Sequence, residues 1–282
     1  MTMVCGGPTT GETGGGSPPV VSRARVFRAA LAAEWWKLRT VRSTYGFLAA
    51  AMLTTLLGLL VLFLLIRSFD QATAAEQADF ETADPTVAVM PFVGFFVGAI
   101  GAMVVTAEFR TGAIRPGLLA VPQRRILLAA KATLAGAVSL LSGLLFGLFA
   151  FACAILLLGD RPAPLDPWPT WTDALPTVFC AALVVMVTSI VALGLGFVLR
   201  STASTLVTLG ALVLVAPAFA HFLPTTWHLR LSSVLLPNLV PQLTGADHPY
   251  LLSPAGAVAV LVGYVVVALG AATLHFGRHD VS

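Results

Sequence analysis

ALPTVFCAALVVMVTSIVALGLGFVL, residues 174–199, contains no acidic or basic side chain and exceeds the roughly 20 apolar residues that carry a helix across a bilayer. A strand with open edges would leave its backbone groups unpaired in lipid, so a stretch of this kind must be helical. Five further windows read the same way: residues 45–66, 87–107, 132–158, 201–223 and 254–276. Windows 132–158 and 174–199 are longer than the minimum, which implies tilt or burial against neighbours. Composition agrees. The 282 residues are 57% apolar and 10% charged, whereas a soluble domain carries about 25% charged residues. That excludes a soluble enzyme and bulk disorder, and with a net charge of only +3 it argues against a nucleic-acid partner. The sequence therefore predicts an all-α membrane protein of six transmembrane helices.

Residues 1–22 are rich in Gly, Thr, Ser and Pro and lack apolar periodicity, the pattern of a disordered tail ahead of a domain spanning 23–282. No apolar run precedes residue 45, so no cleaved signal peptide is expected, and Cys5 lacks the upstream segment of a lipoprotein signal. Arg23, Arg25, Arg28, Lys37, Arg39 and Arg42 precede the first span. Arg110, Arg115, Arg124, Arg125 and Lys131 lie between the second and third, and Arg200 and Arg278 mark the other two connections on that side. The opposite loops hold only Arg67, Arg161 and Arg230, beside nine carboxylates that include Asp70, Glu76 and Asp173. By the positive-inside rule both termini are cytoplasmic, in a multi-pass inner (plasma) membrane protein.

An ion-coupled carrier usually carries ionisable side chains inside its spans. Here Glu108, Lys131, His221 and His275 fall at span ends, and no charge lies mid-span. No metal or cofactor motif is present, and neither Lys37 nor Lys131 sits in a Gly-rich phosphate loop, so any ATP must be bound by another subunit. Ser201, Ser204, Thr205 and Thr208 recur on one side of the fifth span. They read either as a mildly polar path lining or as helix contacts bonded back to the backbone. The pairs Gly94/Gly98 and Gly143/Gly147 and the series Gly256, Gly263, Gly270 read as packing stripes.

Two elements outside the spans carry the functional signal. In residues 25–42, Phe27, Leu31, Leu38 and Val41 share one helical face with Trp35 at its margin, and Arg25, Arg28, Arg39 and Arg42 gather beside it. This is the pattern of an amphipathic helix lying in the membrane interface. Glu34 falls inside the apolar stripe, paired either with Lys37 one turn on or with a cytoplasmic loop or partner subunit. After the second span, Pro116 and Pro122 bracket a short helix flanked by Glu108, Arg110, Arg115, Arg124 and Arg125.

Three segments, in order, resemble bacterial ABC-2-type transporter permeases. Glu34-Trp-Trp-Lys-Leu-Arg-Thr-Val-Arg-Ser-Thr44 resembles their opening segment. Glu108-Phe-Arg-Thr-Gly112, followed by Leu118-Leu-Ala-Val-Pro-Gln-Arg-Arg125 and Ala129-Ala-Lys131, resembles their first cytoplasmic loop. Gly194-Leu-Gly-Phe-Val-Leu-Arg-Ser-Thr-Ala203 is similar to the turn between their fourth and fifth helices. The resemblance covers the chain from about Arg23 onward, with Ala113 standing where the family commonly has Thr. It implies a permease subunit with no cofactor and no catalytic activity of its own. Two copies, alike or different, would pair with separate ATPase subunits, and residues 108–121 would form a coupling helix. Glu108, Arg110, Thr111, Gly112 and Arg115 would contact the ATPase, and Glu34, Trp35, Lys37, Arg39 and Arg42 would belong to the interfacial helix. Residues 223–253 would form a partly re-entrant outer loop closing the path. Rival expectations are an ATP-independent channel or carrier and a non-transporting membrane anchor or assembly factor.

Overall fold

In the computed structural model, which describes residues 22–78, 80, 84–113, 123–159, 161, 165, 168, 170, 172–245 and 248–278, six helices are long and apolar enough to cross a membrane. Among the described residues there is no strand. The chain begins with α1 (Arg23–Thr40), followed by α2 (Arg42–Gln71), a single turn α3 (Ala74–Gln77), α4 (Pro85–Thr111), α5 (Arg124–Leu158) and α6 (Leu175–Leu199). An interrupted helix α7 (Thr202–Ala220), two short helices α8 (Thr225–Val234) and α9 (Leu239–Thr244), and α10 (Pro254–Arg278) complete it. The expected N-terminal tail and the short helix bracketed by Pro116 and Pro122 lie outside the described residues, Arg115 with them.

The helices overrun the apolar windows. α5 starts at Arg124 rather than near residue 132, and α2 continues to Gln71. Once a helix is nucleated, each added residue contributes a backbone bond, so polar ends extend it beyond the lipid-sized core. Lys131 is thereby held inside a helix.

α4 and α6 form the axis and bury most of their length, whereas α7 and α10 bury least. Between membrane helices apolar burial supplies little drive, so close packing through small residues takes over. A Cβ added at Gly101 of α4 would lie 2.5 Å from the carbonyl oxygen of Ser189 in α6. One at Gly143 of α5 would lie 2.9 Å from Cα of Ala182, and one at Gly194 of α6 would lie 2.7 Å from the Ala268 carbonyl oxygen in α10. Glycine thus sets all three approaches to α6. The series Gly256, Gly263, Gly270 behaves differently from the expectation, since Gly263 and Gly270 meet nothing within 4 Å.

The fifth span is not the continuous α-helix expected over 201–223. Residues Ala211–Val215 form a π turn, in which the Ala216 N–H bonds to the Ala211 carbonyl. Pro217 supplies the reason, because its ring collides with the carbonyl four residues back and it lacks an N–H. Widening by one residue accommodates it.

At the end of the bundle opposite Lys131, α8 and α9 fold back around a 3-10 turn, Leu236–Asn238. Leu236, Leu239 and Val240 enter the main core with Val89, Val93, Val185 and Leu261. Gln242 is fully buried and satisfied. Its Nε2 donates to the carbonyls of Ser233 (3.0 Å) and Asn238 (2.8 Å), and its Oε1 accepts from Leu252 N–H (3.2 Å). Irregular backbone survives among membrane helices when its polar groups are paired internally in this way.

Candidate functional site

α1 ends because the chain turns extended at Val41 (φ −83°, ψ 114°), and α2 starts immediately afterwards. The carbonyls opened by the break are covered from α2. Thr44 Oγ1 donates to Leu38 O (3.2 Å), and Tyr45 Oη donates to Arg39 O (3.0 Å). Arg42 therefore opens α2 and is not part of the basic sector of α1, as the sequence reading had it. The buried face of α1 is Ala30, Glu34 and Leu38, one residue per turn, with Phe27 and Leu31 half-buried beside it. Leu38 packs with Ile100 of α4 and Leu134 of α5.

Glu34 sits in the middle of that face, 3% exposed. Its Oε1 accepts from Lys37 Nζ at 2.7 Å, and its Oε2 accepts from Lys131 Nζ of α5 at 2.7 Å. Glu108 of α4 completes the arrangement, its Oε1 lying 2.7 Å from Lys37 Nζ and 2.8 Å from Lys131 Nζ. Carboxylate and ammonium alternate around a closed ring of four with no net charge. Lys131 is 1% exposed and, besides its two carboxylate partners, donates to Val104 O at 3.1 Å. The two alternatives for Glu34 thus hold together, since it pairs both with Lys37 in its own helix and with another part of the chain.

These are the only two lysines in a chain with fourteen arginines. The ammonium is a compact charge with three diverging donors and fits between two carboxylates and a carbonyl. A guanidinium is a wide planar fork whose donors lie in one plane, a poorer match to partners that diverge. Burying three of these charges, Glu34, Glu108 and Lys131, costs several kcal/mol per ion and is tolerated only when each is paired. For Lys37, partial burial is the largest influence and opposes the charged form. The hydrogen bonds from Glu108 and Glu34, aided by their charges, outweigh it and hold the ammonium above the ordinary lysine value.

The connection from α6 to α7 reaches the same place. Arg200 adopts φ 52°, the one left-handed non-glycine residue among those described, and closes α6 through its N–H to Gly196 O (3.0 Å). Its guanidinium lies 5.4 Å from the ring of Phe109, which packs edge-on against Phe197. Thr202 Oγ1 donates to Thr106 Oγ1 of α4 at 2.9 Å. The last turns of α4, residues 104–109, are therefore gripped from three directions: by α1, by the start of α5, and by the α6–α7 turn.

The other expected residues are placed as follows. Arg110 and Thr111 are exposed on the last turn of α4, and Gly112 leaves the helix at φ 71°, a left-handed turn that favours glycine. Glu108 faces inward into the ring, so it is not available as an exposed docking charge. Trp35 and Arg39 lie on the outer face of α1. The hydroxyl series divides. Ser201 caps α7, accepting from Ser204 N–H (3.4 Å), while Thr205 is buried and donates back to Ser201 O (2.8 Å). Ser204 and Thr208 are exposed. Sequence reading missed the long-range partners of Glu34, although the two lysines in an arginine-rich chain were a legible signal. Among the described residues no three His, Cys, Asp or Glu side chains come together to hold a metal.

No protein-family model matches the chain, and no curated protein is significantly similar to it.

Proposed function

We propose that this chain is the membrane-spanning permease subunit of an ATP-driven exporter of the ABC-2 type, set in the inner (plasma) membrane with both termini cytoplasmic. Two permease copies pair with separate ATPase subunits. One observation carries the reading. The three segments that resemble such permeases are far apart in sequence, yet they converge on the last turns of α4 through the ring of Glu34, Lys37, Glu108 and Lys131 and the contacts of Arg200 and Thr202. A push delivered to the connection between α4 and α5 then moves α1, α4 and α5 as one body, because breaking the ring would strand buried charge. Arg110, Thr111 and Arg115 stand at that connection as contacts for the ATPase, and charges at such a surface set orientation as well as strength.

In this reading Ser204 and Thr208, which point out of the chain, line a path between two permease copies. Spans without charge suit an amphiphilic, lipid-like or drug-like cargo better than an ion.

The test is whether the adjacent gene encodes a P-loop ATPase that co-purifies with the full chain, followed by hydrolysis and export assays in reconstituted vesicles. The expected result is a stable complex whose hydrolysis drives transport. Absence of any associated ATPase, together with membranes indifferent to ATP, would sink the proposal.

A further inference from the structure

We propose that the outer face of α1 binds the headgroups of anionic phospholipids. At about 100° per residue, Arg25, Arg28, Trp36 and Arg39 fall in the sector opposite Glu34, with Trp35 at its edge. All five are exposed. The guanidinium of Arg39 lies between two indoles, 5.9 Å from the Trp35 ring and 5.4 Å from the Trp36 ring. Among the described residues no carboxylate forms an ion pair with Arg25, Arg28 or Arg39, and Glu34, the only acid in α1, is turned to the opposite face and engaged by two lysines. The outer face therefore carries three positive charges without a counter-charge among the described residues.

Depth selects the source of the anion. Leu38 packs against Ile100 and Leu134, and Ile100 lies roughly 16 Å along α4 from its end at Thr111. α1 thus leans on the flank of the crossing helices, and its outer face looks sideways into the layer where headgroups sit. Guanidinium groups take phosphate through paired N–H donors. Indole rings favour the boundary between headgroups and acyl chains. Nucleic acid or an acidic protein would need this face turned to bulk water.

The experiment uses the full chain in lipid nanodiscs, with Trp168, Trp171 and Trp227 replaced by Phe so that emission reports Trp35 and Trp36. Bromine-labelled phosphatidylglycerol is compared with bromine-labelled phosphatidylcholine at equal mole fraction. The anionic lipid is expected to quench more strongly, and its preference is expected to fall by about fivefold for each arginine removed in R25Q/R28Q/R39Q. Arg25→Gln alone, remote from the indole pair, is expected to give about one fivefold step, which keeps the test available if the triple variant fails to fold. Equal quenching by the two lipids overturns the proposal, as does a preference that survives these substitutions or is abolished by an acidic peptide or oligonucleotide added in solution. No ATPase takes part in this readout, so its outcome is separate from that of the exporter proposal.

Discussion

Ion pairs fasten the bundle at both ends, and comparing them shows what burial does to a salt bridge. At one end the ring of Glu34, Lys37, Glu108 and Lys131 joins α1, α4 and α5, with Lys131 and Glu34 only 1% and 3% exposed. At the other, Arg161 bridges Asp70 through two parallel bonds of 2.8 and 2.7 Å and also donates to the carbonyls of Leu157 (3.0 Å) and Leu158 (2.7 Å) at the end of α5. The Arg161 and Asp70 side chains are 31% and 45% exposed. The geometry of the second pair is the better of the two by the usual standard of a forked contact. Its strength is nevertheless limited, because water competes for both groups and salt screens them. Water is kept from Glu34, Lys131 and nearly all of Glu108, although Lys37 is 48% exposed, so the ring holds its helices together by the high cost of losing one of its three buried members.

The largest effect should come from opening the ring at its most buried point. Lys131→Met leaves Glu34 and Glu108 sharing Lys37 alone, at an expected cost of about 3–5 kcal/mol. The readout is the thermal midpoint and monodispersity of the solubilised protein. Adding Glu34→Gln leaves the neutral pair of Lys37 and Glu108, and should recover most of the loss. A double variant no better than Lys131→Met would mean that the lysine acts through packing alone.

Lys131→Arg keeps the charge and changes the shape. If the ring needs a compact ammonium, the guanidinium should destabilise by about 1–3 kcal/mol through overpacking, measured in the same way. Wild-type stability would show that the site accepts any cation.

Gly112 and Arg110 stand just beyond the ring and separate its stability from its proposed use. Gly112→Val forces a branched side chain to φ 71° and should cost about 1–2 kcal/mol locally. Arg110→Ala, on an exposed last turn, should leave the thermal midpoint unchanged. Both should weaken association with the ATPase or uncouple hydrolysis from export. Unchanged pull-down and export in both variants would reduce this region to a basic connector.

At the other end, Arg161→Ala should lower the midpoint only slightly, and high salt should erase the difference from wild type. A loss matching that of Lys131→Met would remove the distinction between the two fasteners. The smallest expected effect is that of pH on Lys37. Its value is raised in the folded chain, so its contribution is fully present below the ordinary lysine value of about 10.4 and is lost only as pH rises through the higher folded value. Its share of stability should be flat from mildly acidic to mildly alkaline solution. A midpoint that titrates near neutrality and loses that dependence in Lys37→Met would contradict the assignment.

The six spans were legible because lipid leaves the backbone few choices: a charge-free run long enough to cross must be a helix, whatever its neighbours do. The odd position of Glu34 was legible for a similarly local reason, whereas the break at Val41 was not, since the amphipathic pattern runs through it to Arg42. The bundle arrangement was not legible either. Which glycines pack depends on which helix faces them, so Gly101 and Gly194 make close contacts while the equally regular Gly263 and Gly270 make none. The hydroxyl series on α7 divided for the same reason, with Thr205 turned inward and Ser204 outward.

What the sequence determined by itself is thus whatever follows from covalent order and solvent: the number of spans, the separation of basic from acidic loops, and a carboxylate placed where an apolar residue would normally sit. What only the tertiary structure decided is the company that carboxylate keeps. Lys131 lies 97 residues beyond Glu34, and no local rule links them. They meet because α1 folds back against the flanks of α4 and α5, and a buried charge is stable only where the fold brings a counter-charge to it.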